Sequence, residues 1–386
     1  MAQRAQYLGR HNPEISLGQK IWQLNWGMVL LVGIIATMGL GMLYSAANGS
    51  FDPWASRQAV RFGIGMVLML LVALVDIRFI FRVSYLFYIV ALLLLIAVEV
   101  MGSIGMGAQR WIDLKFIQLQ PSELMKIAII LALARYFHGV SQEDIGRPAF
   151  LLVPLCMVLL PSALVLRQPD LGTTGMLVLA SGAIFFCAGV RLWKFVIVLI
   201  SGLAAIPIGW QFLHSYQQNR VLTFLDPEQD PLGTGYHIHQ SKIAFGSGGI
   251  FGKGFLQGSQ SHLNFLPEKQ TDFIFTMLAE EFGMVGGLVL LSLYLLLMIY
   301  GVAIAVRSRN QYGRLLAIGL TFNLFLYVFI NIAMIMGLVP VVGVPLPLIS
   351  YGGTVMLTVM MGLGMVMSVW LHRDIKISRR GVQDDF

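Results

Sequence analysis

Long apolar runs separated by short polar breaks cover almost the whole chain. Each run holds about 20 residues, the length at which an α-helix crosses the hydrocarbon core of a bilayer. The pattern therefore predicts an all-α polytopic membrane protein with ten transmembrane helices. The predicted spans are 24–46, 58–76, 83–102, 121–138, 149–167, 173–190, 193–213, 276–306, 314–337 and 353–372.

Composition agrees with this pattern. Of the 386 residues, 57% are apolar and only 12% are charged, whereas a soluble domain carries roughly 25% charged residues. The net charge of +7 does not indicate a nucleic-acid partner. The basic residues lie in short loops and near the C-terminus, where they orient a membrane protein.

The distribution of basic residues predicts the orientation. Ten spans place both termini on one side, and placing that side in the cytoplasm brings most loop arginines inside. The polar residues 1–23 lack a cleavable signal and are predicted to be cytoplasmic, as is the tail 373–386. Between them, residues 24–372 would form a single membrane domain. Its boundaries are least defined over 149–213, where merging two spans would move one terminus across the membrane.

One polar, glycine-rich segment, 214–275, interrupts the apolar pattern. The orientation makes it a single large extracytoplasmic loop. A long loop without a strong helical period is usually functional or disordered. We therefore expect the chemistry of the protein to take place there. The loop carries these carboxylates: Asp226, Glu228, Asp230, Glu268 and Asp272.

Asp272 lies just before the eighth predicted span, at the membrane surface. Partial desolvation at such a place makes a carboxylate a stronger base near neutral pH. Asp is also a preferred helix N-cap, so Asp272 could instead cap the helix that follows. The two roles do not exclude each other.

A second polar group precedes and enters the fourth span. Glu123 and Lys126 are three residues apart and share a helix face, either along a functional path or as a structural ion pair. Arg110 with Lys126 could bind an anionic group such as a phosphate. Asp170, in the outer loop after the fifth span, could cap the sixth span or reach a cation such as Lys126.

Three other motifs do not hold a metal or nucleotide. The run from Asp226 to Asp230 lacks the glycine and glutamate that a calcium loop needs. His237 and His239 could share one face of a strand, but no third ligand has the spacing of a zinc site. The glycines from 246 to 254 miss the phosphate-loop pattern at two places. They favour tight turns or close approach of a ligand to the backbone.

Six motifs in order resemble a known family. They are Gly-Ala-Gln-Arg-Trp at 107–111, Gln-Pro-Ser-Glu at 120–123, Gln-Pro-Asp-Leu-Gly-Thr at 168–173, Phe-Leu-Asp-Pro at 224–227, Leu-Pro-Glu with Thr-Asp-Phe-Ile at 266–274, and Pro-Leu-Pro-Leu-Ile-Ser-Tyr-Gly-Gly at 345–353. Together they look like the SEDS family (shape, elongation, division and sporulation). The chain is most similar to the elongation member. The division member, which usually has Gly-Ala-Arg-Arg-Trp in the first motif, is the close competitor.

The resemblance implies a peptidoglycan glycosyltransferase of the bacterial cytoplasmic membrane that polymerises lipid II into glycan strands during cell-wall elongation. It implies Asp272 as the essential loop aspartate. It also implies a polar cavity formed by Arg110, Glu123, Lys126 and Asp170. In this hypothesis Asp272 is the general base, and Arg110 and Lys126, with Lys242 or Lys269, offset charge on the leaving diphosphate.

The implied partners are lipid II, the nascent glycan strand, a class B penicillin-binding protein that docks through membrane helices, and other elongation-complex proteins. No tightly bound cofactor and no dedicated metal site are expected. A divalent cation, Mg²⁺ or Mn²⁺, held with the substrate diphosphate is left open.

Two other functions are considered. A lipid II flippase would line a pathway with Glu123, Lys126 and Asp170. The absence of inverted repeats and of mid-span breaks in the sequence pattern argues against it. A non-catalytic scaffold of the elongation machinery would tolerate charge-neutral changes at Asp272 and Lys126.

Overall fold

The computed structural model describes residues 17–105, 108–113, 118–211, 215–226, 234–262 and 268–378. These residues are almost entirely helical. The helices are α1 Leu17–Trp22, α2 Trp26–Ala46, α3 Ala55–Leu74, α4 Ile77–Met101, α5 Pro121–Gly139, α6 Gln142–Ile145, α7 Pro148–Arg167, α8 Leu171–Ala188, α9 Leu192–Trp210, α10 Ser215–Leu225, α11 Thr234–Ser247, α12 Ser259–His262, α13 Ile274–Arg307, α14 Gln311–Ile335 and α15 Gly353–Leu371. Three short antiparallel strands, β1 Ser103–Gly105, β2 Ala108–Asp113 and β3 Gln118–Leu119, join α4 to α5.

Each predicted span coincides with one helix, in the order α2, α3, α4, α5, α7, α8, α9, α13, α14 and α15. Eight of these helices are long and apolar enough to cross a membrane. The other two are α5, which carries Glu123, Lys126 and Arg135, and α9, whose apolar part covers only Leu192–Pro207. The all-α membrane fold is thus confirmed, while the count of ten crossings stays a prediction.

Short polar residues mark where several of these helices begin. The side chains of Asn25, Asp76 and Asn310 accept hydrogen bonds from backbone N–H groups in the first turns of α2, α4 and α14. Such caps satisfy donors that have no partner within the helix. Pro121 and Pro148 lie in the first turns of α5 and α7, where the missing N–H costs nothing.

The core of the molecule forms around α5, which packs against α4, α14 and α8. Helix α15 is also mostly buried and packs along α3. In contrast, most side chains of α9 are exposed. Because α5 is interior, its ionisable side chains face protein instead of lipid, which is where a membrane protein can hold them.

The described parts of the predicted loop 214–275, namely residues 215–226, 234–262 and 268–275, are largely helical. They contain α10, α11 and α12, and α11 packs on α13 through a Ser241–Thr276 hydroxyl pair at 2.9 Å and the rings of Phe245 and Phe275. The prediction that His237 and His239 could lie on a strand is wrong, because both lie within α11. Glu228 and Asp230 lie outside the described residues.

The sequence pattern also predicts no break within a span, and this is wrong for α13. Gly283 has φ 65° and ψ −161°, which interrupts the helix. The segment 248–262, called the strap below, packs against this break. Met284 N donates to Gly249 O at 3.0 Å and Val285 N to Ile250 O at 3.1 Å. The backbone groups released by the break are therefore satisfied within the protein.

Candidate active site

Asp272 lies in the turn from Glu268 to Phe273, directly before α13, and its side chain is partly buried. It does not cap the helix. The N-cap position belongs to Phe273, and no side chain there bonds to the first turn. Asp272 therefore does not occupy the N-cap position of α13.

The Asp272 turn is fixed to the loop between α14 and α15. Asn331 of α14 donates from Nδ2 to Asp272 O at 3.0 Å and to Val344 O at 2.7 Å. Ser350 Oγ donates to Thr271 O at 2.6 Å and accepts from Leu346 N at 2.8 Å. The carbonyl groups of Thr271 and Asp272 are therefore held by Ser350 of the 337–352 loop and by Asn331 of α14, which fixes the backbone of the turn.

Glu123 and Lys126 form a buried ion pair in α5. Lys126 Nζ lies 2.7 Å from Glu123 Oε1, and the side chains are only 1% and 4% exposed. Tyr327 of α14 donates a hydrogen bond to Glu123 Oε2, and its ring lies 4.1 Å from Lys126 Nζ. The predicted shared face is confirmed. Lys126 is, however, enclosed by these partners and does not line an open anion site with Arg110.

Arg110 of β2 contacts the residues at the N-terminal end of α8. Its guanidinium donates to Gln168 O at 3.0 Å and to Pro169 O at 2.5 Å, and lies 3.6 Å from Asp170 Oδ2. Asp170 also caps α8, because its carboxylate accepts from Thr173 N at 3.1 Å and from Thr173 Oγ1 at 2.9 Å. Both roles considered for Asp170 hold, but its cation is Arg110 and not Lys126.

The 337–352 loop also joins this pair to Asp272. A methyl group placed on Gly172 would lie 2.9 Å from Val342 Cβ, so the start of α8 packs directly on that residue. On the next residue, a methyl group at Gly343 would lie 3.4 Å from Asp272 Oδ2. The start of α8 and Asp272 therefore contact adjacent residues of the loop, Val342 and Gly343.

The two loop lysines differ. Lys269 lies in the Asp272 turn and is only 6% exposed. Burial lowers the pKa of its ammonium group. Lys242 is exposed on α11, where the neighbouring Ser241 is the residue that contacts α13. Lys269 is thus close in sequence and space to Asp272, whereas Lys242 faces away from the α11–α13 contact.

Sequence reasoning missed the polar side chains that support the site from α14. Asn323, Tyr327 and Asn331 are spaced four residues apart, so they lie on one helix face. Asn323 and Tyr327 line a cavity of about 20 Å³ beside Glu123, enough for one water molecule. Polar residues at helical spacing within an apolar span were the available signal.

Sequence reasoning also missed two buried carboxylates, Glu280 and Glu281, in the N-terminal part of α13. Glu280 Oε1 accepts from Lys253 Nζ at 2.8 Å and from Gln260 N at 2.9 Å. Glu281 accepts a hydrogen bond from Ser45, and its Oε1 lies 3.3 Å from His262 Nε2. These contacts join the strap to α13 and α2. An adjacent pair of acidic residues in an apolar span was the signal.

Chemically, the site offers the partly buried carboxylate of Asp272 and, at the start of α8 on the same loop, an arginine that is 22% exposed. This arrangement suits proton abstraction next to an anionic group. Among the described residues, no group of three or more His, Cys, Asp or Glu side chains could hold a metal ion.

Comparisons with known proteins agree with this architecture. The family model FTSW_RODA_SPOVE, described as cell cycle protein, matches residues 23–375. The peptidoglycan glycosyltransferase MrdB of Escherichia coli K12 is 45% identical over 349 residues, which cover 89% of this chain and 93% of that protein. The predicted family is thus confirmed by sequence.

Solved structures agree as well. One described as structural coordination of polymerization and crosslinking by a peptidoglycan synthase complex has a TM-score of 0.79 at 34% identity, covering 92% of this chain and 99% of that chain. The crystal structure of the rod shape determining protein RodA of Thermus thermophilus has a TM-score of 0.70 at 30% identity, covering 92% and 98%. The chain is a multi-pass membrane protein and belongs to the FTSW_RODA_SPOVE family of cell cycle proteins.

Proposed function

We propose that the chain is a peptidoglycan glycosyltransferase that polymerises lipid II at the outer surface of the bacterial cytoplasmic membrane during cell-wall elongation. Family membership and the curated relative's activity support the reaction. The observation that carries the site assignment is the placement of Asp272. This partly buried residue is not the N-cap of α13, and its turn is held against the 337–352 loop, which also contacts the start of α8.

In the proposed reaction, Asp272 takes the proton from the 4-hydroxyl of the acceptor sugar on lipid II. The resulting oxygen attacks the anomeric carbon of the growing strand. The bond from that carbon to the diphosphate breaks, and undecaprenyl diphosphate leaves with the bonding electron pair. A carboxylate acting in this way contributes roughly 100- to 10,000-fold to the rate.

Arg110 is the candidate cation for the leaving diphosphate, because its side chain is 22% exposed and its partner Asp170 precedes the end of α8 that packs on the 337–352 loop. Its guanidinium can bind two phosphate oxygens at once. Lys269 adds a second positive charge within the Asp272 turn, and Lys242 a more distant one. Lys126 contributes its charge without contacting the diphosphate, because its ammonium group is buried and held by Glu123 and Tyr327.

A divalent cation, Mg²⁺ or Mn²⁺, would be held mainly by the substrate diphosphate. Such ions commonly bind through one or two carboxylates plus substrate phosphates. Asp272 is the described carboxylate nearest to where that diphosphate would lie in this proposal. The ion would neutralise charge on the leaving group.

The proposed partner is a class B penicillin-binding protein that crosslinks the strands, together with other elongation-complex proteins. The solved complex that coordinates polymerization and crosslinking supports such a pairing. The family suggests α13 and α14 as the docking helices. Exposed rings of Phe325 and Phe329 on α14 offer a packing surface there.

The experiment is polymerisation of lipid II by the purified chain in detergent, alone and with its transpeptidase partner. Glycan strands longer than the substrate, together with released undecaprenyl diphosphate, are the expected products. A flippase needs two membrane faces and makes no longer glycan in detergent. Absence of polymer both alone and with the partner would contradict the proposal and leave transport or a scaffold role.

A further inference from the structure

Three membrane helices meet at the end of α13 that lies opposite the Asp272 turn. Trp370, near the end of α15, donates from Nε1 to Gln23 O at 3.1 Å, which brings it beside the start of α2. Helix α13 reaches the same place, because a methyl group on Gly27 of α2 would lie 2.8 Å from Tyr300 Oη. This meeting point is separate from the candidate active site, which lies before the first residue of α13.

Two arginines lie against the indole ring of Trp370, and they are called the arginine pair below. The guanidinium carbon of Arg373 is 4.2 Å from the ring centroid, and that of Arg307, the last residue of α13, is 5.7 Å from it. The face of an aromatic ring attracts such a cation. The ring thus holds two like charges close together, and their mutual repulsion is relieved when an anion binds beside them.

The described carboxylates do not balance the charge at this end of the molecule. Asp374 Oδ2 lies 3.7 Å from Arg373 Nε, and Asp374 Oδ1 lies 3.2 Å from Arg309 Nε. Arg307 forms no salt bridge with any described residue. One carboxylate therefore serves three arginines, and its side chain is itself 67% exposed, so it screens them weakly.

The arginine pair keeps hydrogen-bond donors for an anion. A guanidinium group has five N–H donors. Arg373 donates from Nη1 to Trp370 O at 3.4 Å and directs Nε toward Asp374, while Arg307 is exposed. Because guanidinium groups bind phosphate oxygens through paired N–H···O bonds, the remaining donors suit a phosphate group.

The neighbouring side chains indicate where this phosphate comes from. Val306, directly before Arg307, is 69% exposed, Tyr300 is 37% exposed, and Trp26 at the start of α2 is 50% exposed. Exposed tryptophan and tyrosine side chains are enriched where the hydrocarbon core meets the lipid head groups. The arginine pair therefore lies at the level of the head groups, and the predicted topology makes this the cytoplasmic leaflet. Basic pockets between membrane helices on that side bind anionic head groups.

We propose that the arginine pair binds the phosphodiester group of an anionic phospholipid from the cytoplasmic leaflet. Apolar side chains such as Val306 face the acyl chains, while the guanidinium groups reach the phosphate. The bound lipid connects the end of α13 to the end of α15 through Arg307 and Arg373. This lipid is a structural ligand and not the substrate of the proposed reaction, so the proposal does not depend on the proposed function.

The test measures phospholipid binding to the purified full chain in a neutral detergent, by titration followed with native mass spectrometry. Arg307→Gln/Arg373→Gln removes both charges of the arginine pair. The matched control, Arg147→Gln/Arg191→Gln, removes two exposed arginines from another part of the predicted cytoplasmic face. Phosphatidylglycerol is the anionic probe. Phosphatidylcholine, which carries the same phosphodiester beside a compensating cation, is the neutral probe.

We expect the wild type and the control to bind phosphatidylglycerol with the same apparent Kd. The Arg307→Gln/Arg373→Gln variant should bind it about 30-fold more weakly, because two cations that attract an anionic lipid are lost. Added salt should weaken binding to the wild type more than binding to this variant. Phosphatidylcholine should bind all three proteins equally and more weakly than phosphatidylglycerol binds the wild type.

Equal apparent Kd values for phosphatidylglycerol in the arginine-pair variant and the control would overturn the proposal. Wild-type binding of phosphatidylcholine as tight as that of phosphatidylglycerol would do so too, because charge would not select the lipid. Inorganic phosphate that displaces phosphatidylglycerol at the same concentration would identify a site for a soluble anion instead.

A single variant covers the case in which the double variant does not fold. Arg307 is exposed and forms no salt bridge with a described residue, so Arg307→Gln leaves no buried group unpaired. We expect Arg307→Gln to bind phosphatidylglycerol about fivefold more weakly than the wild type. An unchanged Kd in this variant would contradict the assignment of Arg307. Because binding needs no turnover, the result is independent of polymerisation.

Discussion

Individual side chains set the geometry of Asp272, and the sequence reveals only some of them. The Asp272 motif and the Glu123–Lys126 spacing can be recognised in the sequence, because each involves residues that are close together along the chain. The role of Asn331 in holding Asp272 cannot be recognised in the sequence, because folding alone brings Asn331 close to the residues that accept its two hydrogen bonds. The ion pair of Asp170 cannot be recognised in the sequence either, because it depends on where the fold places Arg110 of β2.

The Glu123–Lys126 pair gives a first prediction. Replacing one partner leaves the other buried and unpaired, which costs roughly 3–5 kcal/mol of stability. We expect Glu123→Gln or Lys126→Met alone to unfold at a clearly lower temperature in detergent. The double variant Glu123→Gln/Lys126→Met should recover part of the loss. A double variant less stable than either single one would contradict the account.

Lys269 gives a pH prediction. Burial lowers its pKa, so the folded protein loses this charge at a lower pH than an ordinary lysine would. If the charge assists the leaving diphosphate, kcat/KM should fall on the alkaline side. Lys269→Arg should move that fall to higher pH, because arginine stays protonated.

The control for this profile is Lys376→Arg in the exposed tail, which should keep the wild-type alkaline limb. If the alkaline limbs of the kcat/KM profiles of the wild type and Lys269→Arg coincide, the charge of Lys269 does not assist the leaving diphosphate.

At the scale of elements, the ten helical segments could be predicted from apolar length alone, and the largest difference is at α4, which begins at Ile77 and not at residue 83. The break in α13 could not. Gly283 stands in an apolar run with other glycines, and close packing of helices explains such residues equally well. What makes Gly283 a break is the strap, whose backbone replaces the lost helical hydrogen bonds. That partner is distant in sequence, so no local pattern shows it.

The break yields a prediction about the strap. Gly283→Ala places a methyl group 2.5 Å from Ile250 O and forces alanine to adopt a φ of 65°. The substitution should therefore lower the free energy of unfolding by about 1–3 kcal/mol. We expect faster hydrogen exchange in 248–262. The control is Gly182→Ala in α8, where nothing lies within 4 Å and stability should hold or rise slightly. Unchanged exchange in the strap of Gly283→Ala would argue against this packing.

At the scale of the whole molecule, one polar layer links β2, the start of α8, the Asp272 turn and the 337–352 loop. The sequence predicted the sidedness of this layer from its arginine distribution. Its assembly could not be predicted, because the contacts between β2 and α8 and between the Asp272 turn and the 337–352 loop join residues 58 or more positions apart.

The orientation is tested by labelling in cells. In a variant without Cys156 and Cys187, a membrane-impermeant maleimide should label Gln257→Cys in the strap from outside. Glu143→Cys, in the exposed α6 segment, should react only after the membrane is opened. The reverse pattern, or labelling of both from outside, would contradict the predicted topology.

The most direct test of the central claim is lipid II polymerisation by Asp272→Asn, compared with Asp374→Asn, whose side chain is 67% exposed in the tail. Both variants should unfold at the wild-type temperature. The account predicts that Asp272→Asn loses about 100- to 10,000-fold in polymerisation rate, while Asp374→Asn keeps the wild-type rate. A well-folded Asp272→Asn variant that polymerises lipid II like the wild type would show that Asp272 is not the base.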